Sequence, residues 1–388
     1  MSPQLEGLPG MEAMVLAEQA LLGALLLRPR HLTSTVNWLE TEHFYLPHHA
    51  ALHAAMRQLA DDGHPALADE CSSDQGLDWL NRTTALATEQ TPGLTPSHAH
   101  TLVNFCPQPD HAAAYGRMVL AGHTRRIIAE HAQRLADSTR SAKDPTLQAE
   151  AVSAQANALT TALDDLSQRW RAHSGATPRG GSPPPLRELP PNDQRHADEQ
   201  AFLSAVTTRP NELGDIRSYL SPEDFADPLH QQLYRCLTAL HHRGEPIDPI
   251  TVLWEAQHRG VLASTTPETV LTTCARSGND PDYWATRILD HALLSTTAAS
   301  AELIKLAVDD PTMTPQQLIT VCRRALRDLT AVRLRRHHAH HGPPAPPVRS
   351  SRPPTQRSVT RPPPKIAPVN PFGPGYSAPR APTSSSSR

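Results

Sequence analysis

The chain has 388 residues, enough for two or three domains, and its low aromatic content of 4% together with 39 Pro predicts that part of it stays unfolded. Five Cys without a Cys-x-x-Cys spacing exclude a disulfide framework, and the apolar run Leu16–Leu27 is too short for a membrane span and has no basic segment in front of it. The net charge of -3 conceals a basic C-terminal end, because no Asp or Glu follows Asp328, and we expect a cytoplasmic protein without a membrane partner.

The first predicted element is a helix over Met11–Leu27, which ends before Pro29 because the residue preceding a proline disfavours helical geometry. A short helix is predicted over His31–Leu39. A longer amphipathic helix begins at Pro47, since a proline in the first turn has no N–H to leave unpaired, and it ends at Gly63.

Similar helix signals recur further along the chain. The dipeptides Ser221-Pro222, Asp227-Pro228 and Asp248-Pro249 each place a capping side chain before a proline at the first helical position. Gly260 is a suitable residue to end the last of these helices. The spacing of these signals predicts an all-helical segment.

The two segments are related by an internal repeat. A shift of 181 residues aligns Glu18–Pro65 with Glu199–Pro246 without a gap, and 17 of the 48 aligned positions are identical. Ten of the identities are neither Ala nor Leu, so composition alone does not explain them. The repeat indicates a duplicated folded unit, and we call the segment containing Glu18 the first copy and the segment containing Glu199 the second copy.

Each copy continues into two long helical patterns separated by a break at a proline, at Pro145 in the first copy and at Pro311 in the second. We therefore predict an all-α fold in which two helical-bundle domains are each followed by an antiparallel helical hairpin. The predicted boundaries are residues 11–172 for the first domain, 173–195 for a flexible linker, 196–335 for the second domain and 336–388 for a disordered tail rich in Pro, Ser, Arg and His.

The repeated motifs resemble those of a known family. The Glu-Gln-Ala start at Glu18, the acidic-x-Phe pattern at Phe44 and the Pro-x-His helix start at Pro47 resemble the N-terminal domain of bacterial replicative DNA helicases of the DnaB type. The second copy extends the resemblance through Gly244–Val252, which is similar to the family's Gly-x-Pro-Ile-Asp-x-Ile-Thr-Val run. The first copy departs from this pattern over Ala66–Ala87 and keeps only a loose helical pattern there, around Leu77, Trp79 and Leu80.

The resemblance implies a docking module rather than an enzyme. In that family the N-terminal domain is not catalytic; it self-associates and receives primase or loader proteins on a collar of hairpins. The Gly-x-x-x-x-Gly-Lys-Ser/Thr loop of the helicase motor does not occur in these 388 residues, so we expect no catalytic or cofactor-binding residues.

We therefore predict a non-catalytic interaction protein of DNA replication, with two fused copies acting as a built-in pseudo-dimer of the collar. Its expected partners are further copies of itself, a replicative helicase, a primase or a loader. An accessory subunit of a helicase whose motor is a separate chain is one alternative.

A nucleic-acid-binding accessory protein is the other alternative, because the C-terminal end is basic. Arginines without acidic neighbours can bind phosphate groups in a salt-sensitive way, although few aromatic residues accompany them to stack on bases. The candidate contacts are Arg333, Arg335, Arg336, Arg349, Arg352, Arg357 and Arg361. A solubilising or partner-recruiting role would account for the same residues.

The 22 His invite a metal-binding interpretation, with the densest clusters at His48-His49, at His241-His242 and between His337 and His341. None is accompanied by a His-Glu-x-x-His or Cys-x-x-Cys pattern. We interpret them as solvated or helix-end residues, with weak adventitious metal binding as the alternative, and predict no metal site.

Two further pairs recur in the repeat. His49 and His230 each follow a helix-opening proline by two positions, which suggests packing or helix-cap contacts rather than catalytic bases. Glu18 and Glu199 have no second carboxylate that recurs in step with them as an acid–base partner, so we interpret them as structural.

Overall fold

The structure, a computed structural model, describes residues 11–91, 94–140, 145–171, 173, 193–275 and 280–341. All regular secondary structure in these ranges is helical, which confirms the predicted all-α class. The first copy contributes α1 Met11–Leu27, α2 Leu32–Thr35, α3 Pro47–Asp61, α4 Ser73–Gln90, α5 Pro96–Phe105, α6 Ala112–Ser138 and α7 Pro145–Arg171. The second copy contributes α8 Asp193–Thr208, α9 Leu213–Ile216, α10 Pro228–Arg243, α11 Pro249–His258, α12 Pro267–Ala275, α13 Pro281–Asp309 and α14 Pro315–His341. Short 3-10 turns connect several of these helices, and the order of the α-helices is the same in the two copies.

The repeated glycine ends the same helix in both copies. Gly63 after α3 has φ of 74° and Gly244 after α10 has φ of 69°, a left-handed conformation that only glycine adopts without a steric cost from Cβ. At the other end of α10, the Asp227 side chain accepts a hydrogen bond of 2.7 Å from the N–H of Leu229. The repeat therefore preserves the proline that opens this helix and the glycine that ends it, whereas the first copy has Leu46, which makes no side-chain cap, in place of Asp227.

Each copy encloses a hydrophobic core of its own beneath its first helices. In the second copy the rings of Phe202, Phe225 and Tyr234 pack with centroids 5.0 to 5.7 Å apart. In the first copy Phe44 and His53 take the places of Phe225 and Tyr234, with centroids 4.8 Å apart. The imidazole thus replaces a phenol in an otherwise apolar position.

The long helices α6, α7, α13 and α14 pack into one four-helix bundle that joins the two copies. Within each hairpin the helices are antiparallel: Trp170 near the end of α7 donates to the Thr124 hydroxyl at 3.0 Å, and Ser300 donates to the Ala325 carbonyl at 3.2 Å. The core of the bundle is drawn from all four helices: Leu120, Ile128, Leu135, Leu159, Leu163, Leu293, Ile304, Leu318 and Leu329. Each hairpin therefore buries its apolar face against the hairpin of the other copy.

Two predicted elements have different bounds in the structure. The short helix expected over His31–Leu39 is a 3-10 turn, Pro29–His31, followed by the single turn α2. Helix α14 continues to His341, past the expected start of the tail at residue 336, and ion pairs described below join Arg335 and Arg336 near its end to the second copy. Residues 174–192 and 342–388, which hold most of the expected linker and tail, lie outside the described residues. Within the described ranges, no helix has both the length and the apolar character needed to cross a membrane.

Candidate functional site: the hairpin bundle and a repeated glutamate–histidine pair

The glutamate that recurs in both copies is buried against the start of the next long helix. In the first copy the Glu18 carboxylate accepts hydrogen bonds from the N–H groups of Tyr45 (2.5 Å) and Leu46 (3.4 Å). Its Oε2 lies 2.8 Å from Nδ1 of His49, and neither side chain is exposed to solvent. Glu18 on α1 therefore positions the first turn of α3.

The second copy repeats this arrangement atom for atom. The Glu199 carboxylate accepts hydrogen bonds from the N–H groups of Ala226 (2.6 Å) and Asp227 (3.2 Å), and Oε2 lies 2.9 Å from Nδ1 of His230. A buried carboxylate is costly unless its oxygens are paired, and here backbone and imidazole donors pair them. These contacts agree with the structural interpretation of the two recurring pairs.

An arginine binds the same backbone carbonyl in each copy, but it comes from a different helix. Arg126 on α6 donates to the carbonyl of His43 at 2.8 Å, and Arg195 on α8 donates to the carbonyl of Asp224 at 3.0 Å. Arg195 stands at the repeat position of Met14, and Arg126 lies against the Met14 sulfur at 2.8 Å. Burial lowers the pKa of both guanidinium groups. Sequence comparison misses this correspondence because the two arginines are not aligned in the repeat.

The returning helix of each hairpin carries, near its C-terminal end, an arginine that contacts the globular part of its own copy. Arg169 on α7 pairs with the Glu40 carboxylate at 2.8 Å. Arg335 on α14 pairs with the Asp224 carboxylate, which is nearly inaccessible to solvent. Burial raises the pKa of the Asp224 carboxyl, against the lowering effect of Arg335. These pairs attach each hairpin to the domain that precedes it.

The seven arginines suggested for nucleic-acid contact fall into two groups. Arg335 pairs with Asp224 as described, Arg336 pairs with the buried Asp290, and Arg333 donates to the side-chain oxygen of Asn157 at 3.0 Å. All three therefore lie on α14 and contact the fold. The other four lie outside the described residues: Arg349, Arg352, Arg357 and Arg361.

Contacts between the copies include a charged side chain at a helix end. Arg125 on α6 donates to the carbonyls of Val308, Asp310 (2.9 Å) and Met313 (3.0 Å), at and beyond the C-terminus of α13. The last carbonyls of a helix lack intrahelical partners, and a cation is favoured there by the helix dipole. Arg323 on α14 also pairs with Asp164 on α7 at 2.8 Å. Polar contacts therefore supplement the apolar core of the bundle.

The second copy presents an exposed apolar face on α11. Ile250 and Trp254, four residues apart and so on the same side of the helix, are 64% and 63% exposed. Ile250 lies in the Gly244–Val252 segment and Trp254 follows it by two residues. The corresponding helix of the first copy, α4, has one large apolar residue that is comparably exposed, Leu77 at 58%. An exposed tryptophan on a rigid helix is the kind of residue that protein interfaces use as an anchor.

Comparison with known proteins matches both copies to one protein family. The family model described as the DnaB-like helicase N terminal domain matches residues 11–120 and again residues 191–288, together more than half of the chain.

The curated relatives include the replicative DNA helicase DnaB of Mycobacterium leprae, 32% identical over 139 residues, which are 34% of this chain and 21% of that protein. The replicative DNA helicase DnaC of Bacillus subtilis is 31% identical over 119 residues, which are 30% of this chain and 26% of that protein. The chain thus spans about a quarter or less of the length of these relatives. Among solved structures, the N-terminal domain of DnaB helicase from Mycobacterium tuberculosis matches with 24% identity and a TM-score of 0.32, over 36% of this chain and 99% of that one.

Proposed function

Because the chain belongs to the DnaB-like helicase N-terminal domain family, we propose that it is a non-catalytic protein-interaction module that acts in DNA replication. Its partners are a replicative helicase, a primase or a loader, in a cytoplasmic setting. The named relatives are replicative DNA helicases, and the family model that matches this chain describes the N-terminal domain of such helicases.

The packing of the two hairpins is the observation that carries this proposal. The four long helices bury their apolar faces against one another within a single chain, so the pairing of two copies is complete without a second molecule. Such a built-in pair presents the outer faces of its domains to other proteins. We therefore look for the docking surface on the exposed side of the domains rather than in the bundle core.

The α11 face of the second copy is the surface that we assign to partner docking. Ile250 and Trp254 offer an apolar anchor, and both are in or next to the segment that most resembles the family. Truncating a central aromatic anchor at an interface typically costs about 2 kcal/mol or more of binding free energy, which is a thirtyfold weaker complex.

Affinity purification of the full chain from its native cell tests the proposal, with Trp254→Asp as the variant and Leu77→Asp as the control. The control introduces the same charge at a similarly exposed position on the corresponding helix of the first copy. We expect the wild type and the control to recover a helicase, primase or loader and Trp254→Asp to lose it. Recovery of no replication protein by the wild type would overturn the proposed function. Equal recovery by all three would overturn only the assignment of the α11 face.

The nucleic-acid alternative depends on the basic residues beyond α14. No Asp or Glu occurs in residues 342–388, whereas Arg335 and Arg336 pair with buried carboxylates inside the fold. Deletion of residues 342–388 leaves α14 intact and tests this alternative by fluorescence anisotropy with single-stranded DNA at increasing salt. Salt-sensitive binding that disappears with the deletion favours the alternative. Partner recovery that survives the deletion favours the interaction module, or an accessory subunit of a helicase whose motor is a separate chain.

A further inference from the structure

Three imidazoles converge beside the repeated glutamate–histidine pair of the first copy. His48 and His49 lie in the first turn of α3, and His98 lies on α5. One ring nitrogen of each is within 4.8 Å of a ring nitrogen of the other two. The ring centroids are 4.5 Å apart for His48 and His49, 4.9 Å for His48 and His98, and 5.8 Å for His49 and His98. The sequence shows only the adjacent pair, because His98 is brought in by the fold.

Two of these rings have a buried nitrogen that the protein does not satisfy. Nε2 of His49 and Nε2 of His98 have no hydrogen-bond partner among the residues that the structure describes. Buried polar atoms are rarely left unpaired, because the loss of hydration is then not compensated. The two nitrogens are therefore available to a ligand that accepts a lone pair.

The Glu18 carboxylate orients one of the rings for this purpose. With Nδ1–H of His49 directed to Glu18 at 2.8 Å, the lone pair of the neutral ring is on Nε2. A carboxylate behind a histidine is the usual outer-shell arrangement of a metal-binding imidazole, since it fixes the ring and increases its basicity. Both Glu18 and His49 are fully buried, so the arrangement is held rigidly by the fold.

We propose that His48, His49 and His98 bind a divalent transition-metal ion, with zinc as the expected ion and water in the remaining position. Imidazole nitrogen is a preferred ligand of zinc, and three histidines with one open position form a tetrahedral site. Zinc–nitrogen bonds of about 2.0–2.1 Å bring ligand nitrogens to about 3.4 Å from each other, so binding draws the rings together by roughly an ångström. His48 and His98 are only half-buried, which gives the ion a path from solvent. The proposal revises the sequence-based expectation that no metal site is present, and it does not depend on the proposed interaction function.

The second copy supplies an internal comparison. It has Leu229 at the position of His48, and its own cluster consists of His196, Asp227 and His230. Asp227 in this cluster already caps α10 through the N–H of Leu229. His196 is 53% exposed and pairs with Asp227 at 3.0 Å. The donors of the second cluster are thus more exposed and already engaged, so we expect the tight site in the first copy.

Metal titration of the full chain tests the proposal, after removal of bound metal with a chelator. Zinc affinity is measured by competition with a chromophoric chelator, and Co²⁺ absorption reports tetrahedral coordination. We expect His98→Gln to lower the zinc affinity at least tenfold and to abolish the tetrahedral Co²⁺ spectrum, while His196→Gln changes neither. Any metal bound by the histidines between His337 and His341 is bound equally by the wild type and the two variants, so it does not affect the difference in zinc affinity between them. Circular dichroism without metal verifies that the variants fold, and His48→Gln replaces His98→Gln if the latter does not.

The proposal is overturned if the wild type and the folded first-copy variant bind zinc with equal affinity. It is also overturned if His196→Gln alone removes the tight site, since the metal would then belong to the second copy.

Discussion

The repeated glutamate gives a stability prediction that can be made twice in one molecule. In Glu199→Ala the N–H groups of Ala226 and Asp227, the ring of His230 and the guanidinium of Arg195 lose their acceptor, and a cavity replaces the carboxylate. Each buried donor left unpaired costs about 1–3 kcal/mol, and removal of one partner of a buried charged pair typically costs about 3–5 kcal/mol. We expect Glu199→Ala to lower the free energy of unfolding by about 3–5 kcal/mol, a large part of the stability of a domain.

Glu18→Ala removes the same backbone and imidazole contacts from the first copy, but Met14 stands there in place of Arg195, so we expect a smaller loss than that of Glu199→Ala. Glu199→Gln retains one acceptor oxygen, so its loss should be smaller, about 1–2 kcal/mol.

Urea unfolding followed by circular dichroism measures these differences. The control is Glu223→Ala, because the Glu223 side chain is 68% exposed and its ion pair with Arg235, at 3.2 Å, is at the surface. We expect the control to change stability by no more than about 0.5 kcal/mol. A loss below about 1 kcal/mol in Glu199→Ala would refute the reasoning, because it would mean that these four donors find other acceptors.

Two further predictions follow from buried titratable groups. Burial lowers the pKa of His43 and of His53 to about 3, below the unfolded value of 6.5. Between these two pH values each histidine takes up a proton when the protein unfolds. The stability that the neutral rings provide above pH 6.5 is therefore lost as the pH falls towards 3. His53→Phe places an aromatic ring where the second copy has Tyr234. We expect the free energy of unfolding, measured in urea, to depend less steeply on pH between about 4 and 6.5, by up to the slope of one proton. An unchanged slope would contradict the assignment. Among the cysteines, burial raises the pKa of Cys236 to about 11 and those of Cys274 and Cys322 to about 12, whereas Cys71 is exposed. We expect a thiol reagent followed by mass spectrometry to label Cys71 first and these three only after unfolding; early labelling of Cys322 would show that the bundle opens.

The helix boundaries that the sequence predicted well are those set by single residues. Helix α1 begins and ends as predicted because Pro29 stops it, and the left-handed Gly63 and Gly244 end α3 and α10. For helix α4 the sequence predicts only a loose helical pattern around Leu77, although Ser72 and Gln75 form a capping box that marks its start. The bounds of this helix were not predicted, because the family pattern is weak over Ala66–Ala87.

The contacts that the sequence could not reveal join residues far apart in the chain. The absence of acidic residues after Asp328 predicts arginines without acidic partners. In the structure Arg335 and Arg336 pair with Asp224 and Asp290, which lie in other elements of the second copy. The partnership of His98 with the His48-His49 pair likewise depends on how α5 packs against α3. Periodicity and capping are local properties, whereas these pairings depend on tertiary packing.

The shared bundle leads to a prediction about the connection between the copies. A protease site inserted in residues 174–192 would cut the chain into two parts, each with one hairpin. Because both hairpins contribute to one apolar core, we expect the cut parts to remain associated at micromolar concentration in size-exclusion chromatography with light scattering. Covalent connection raises the effective concentration of one hairpin near the other, so cutting should make the association depend on dilution.

Arg125 tests whether the polar contacts of the bundle contribute to this association. In Arg125→Met the carbonyls of Val308, Asp310 and Met313 lose a charged donor, whereas Arg134→Met removes only an exposed pair with Glu130 on the same helix. Hydrogen bonds to a charged group contribute about 1.5–3 kcal/mol. We therefore expect the dissociation constant of the cut Arg125→Met protein to be at least tenfold higher than that of the cut wild type. The cut Arg134→Met protein should dissociate like the wild type. Separation of the cut wild-type parts at micromolar concentration would show that the two hairpins pair only because the chain connects them, and the built-in pair would then not be a stable interface.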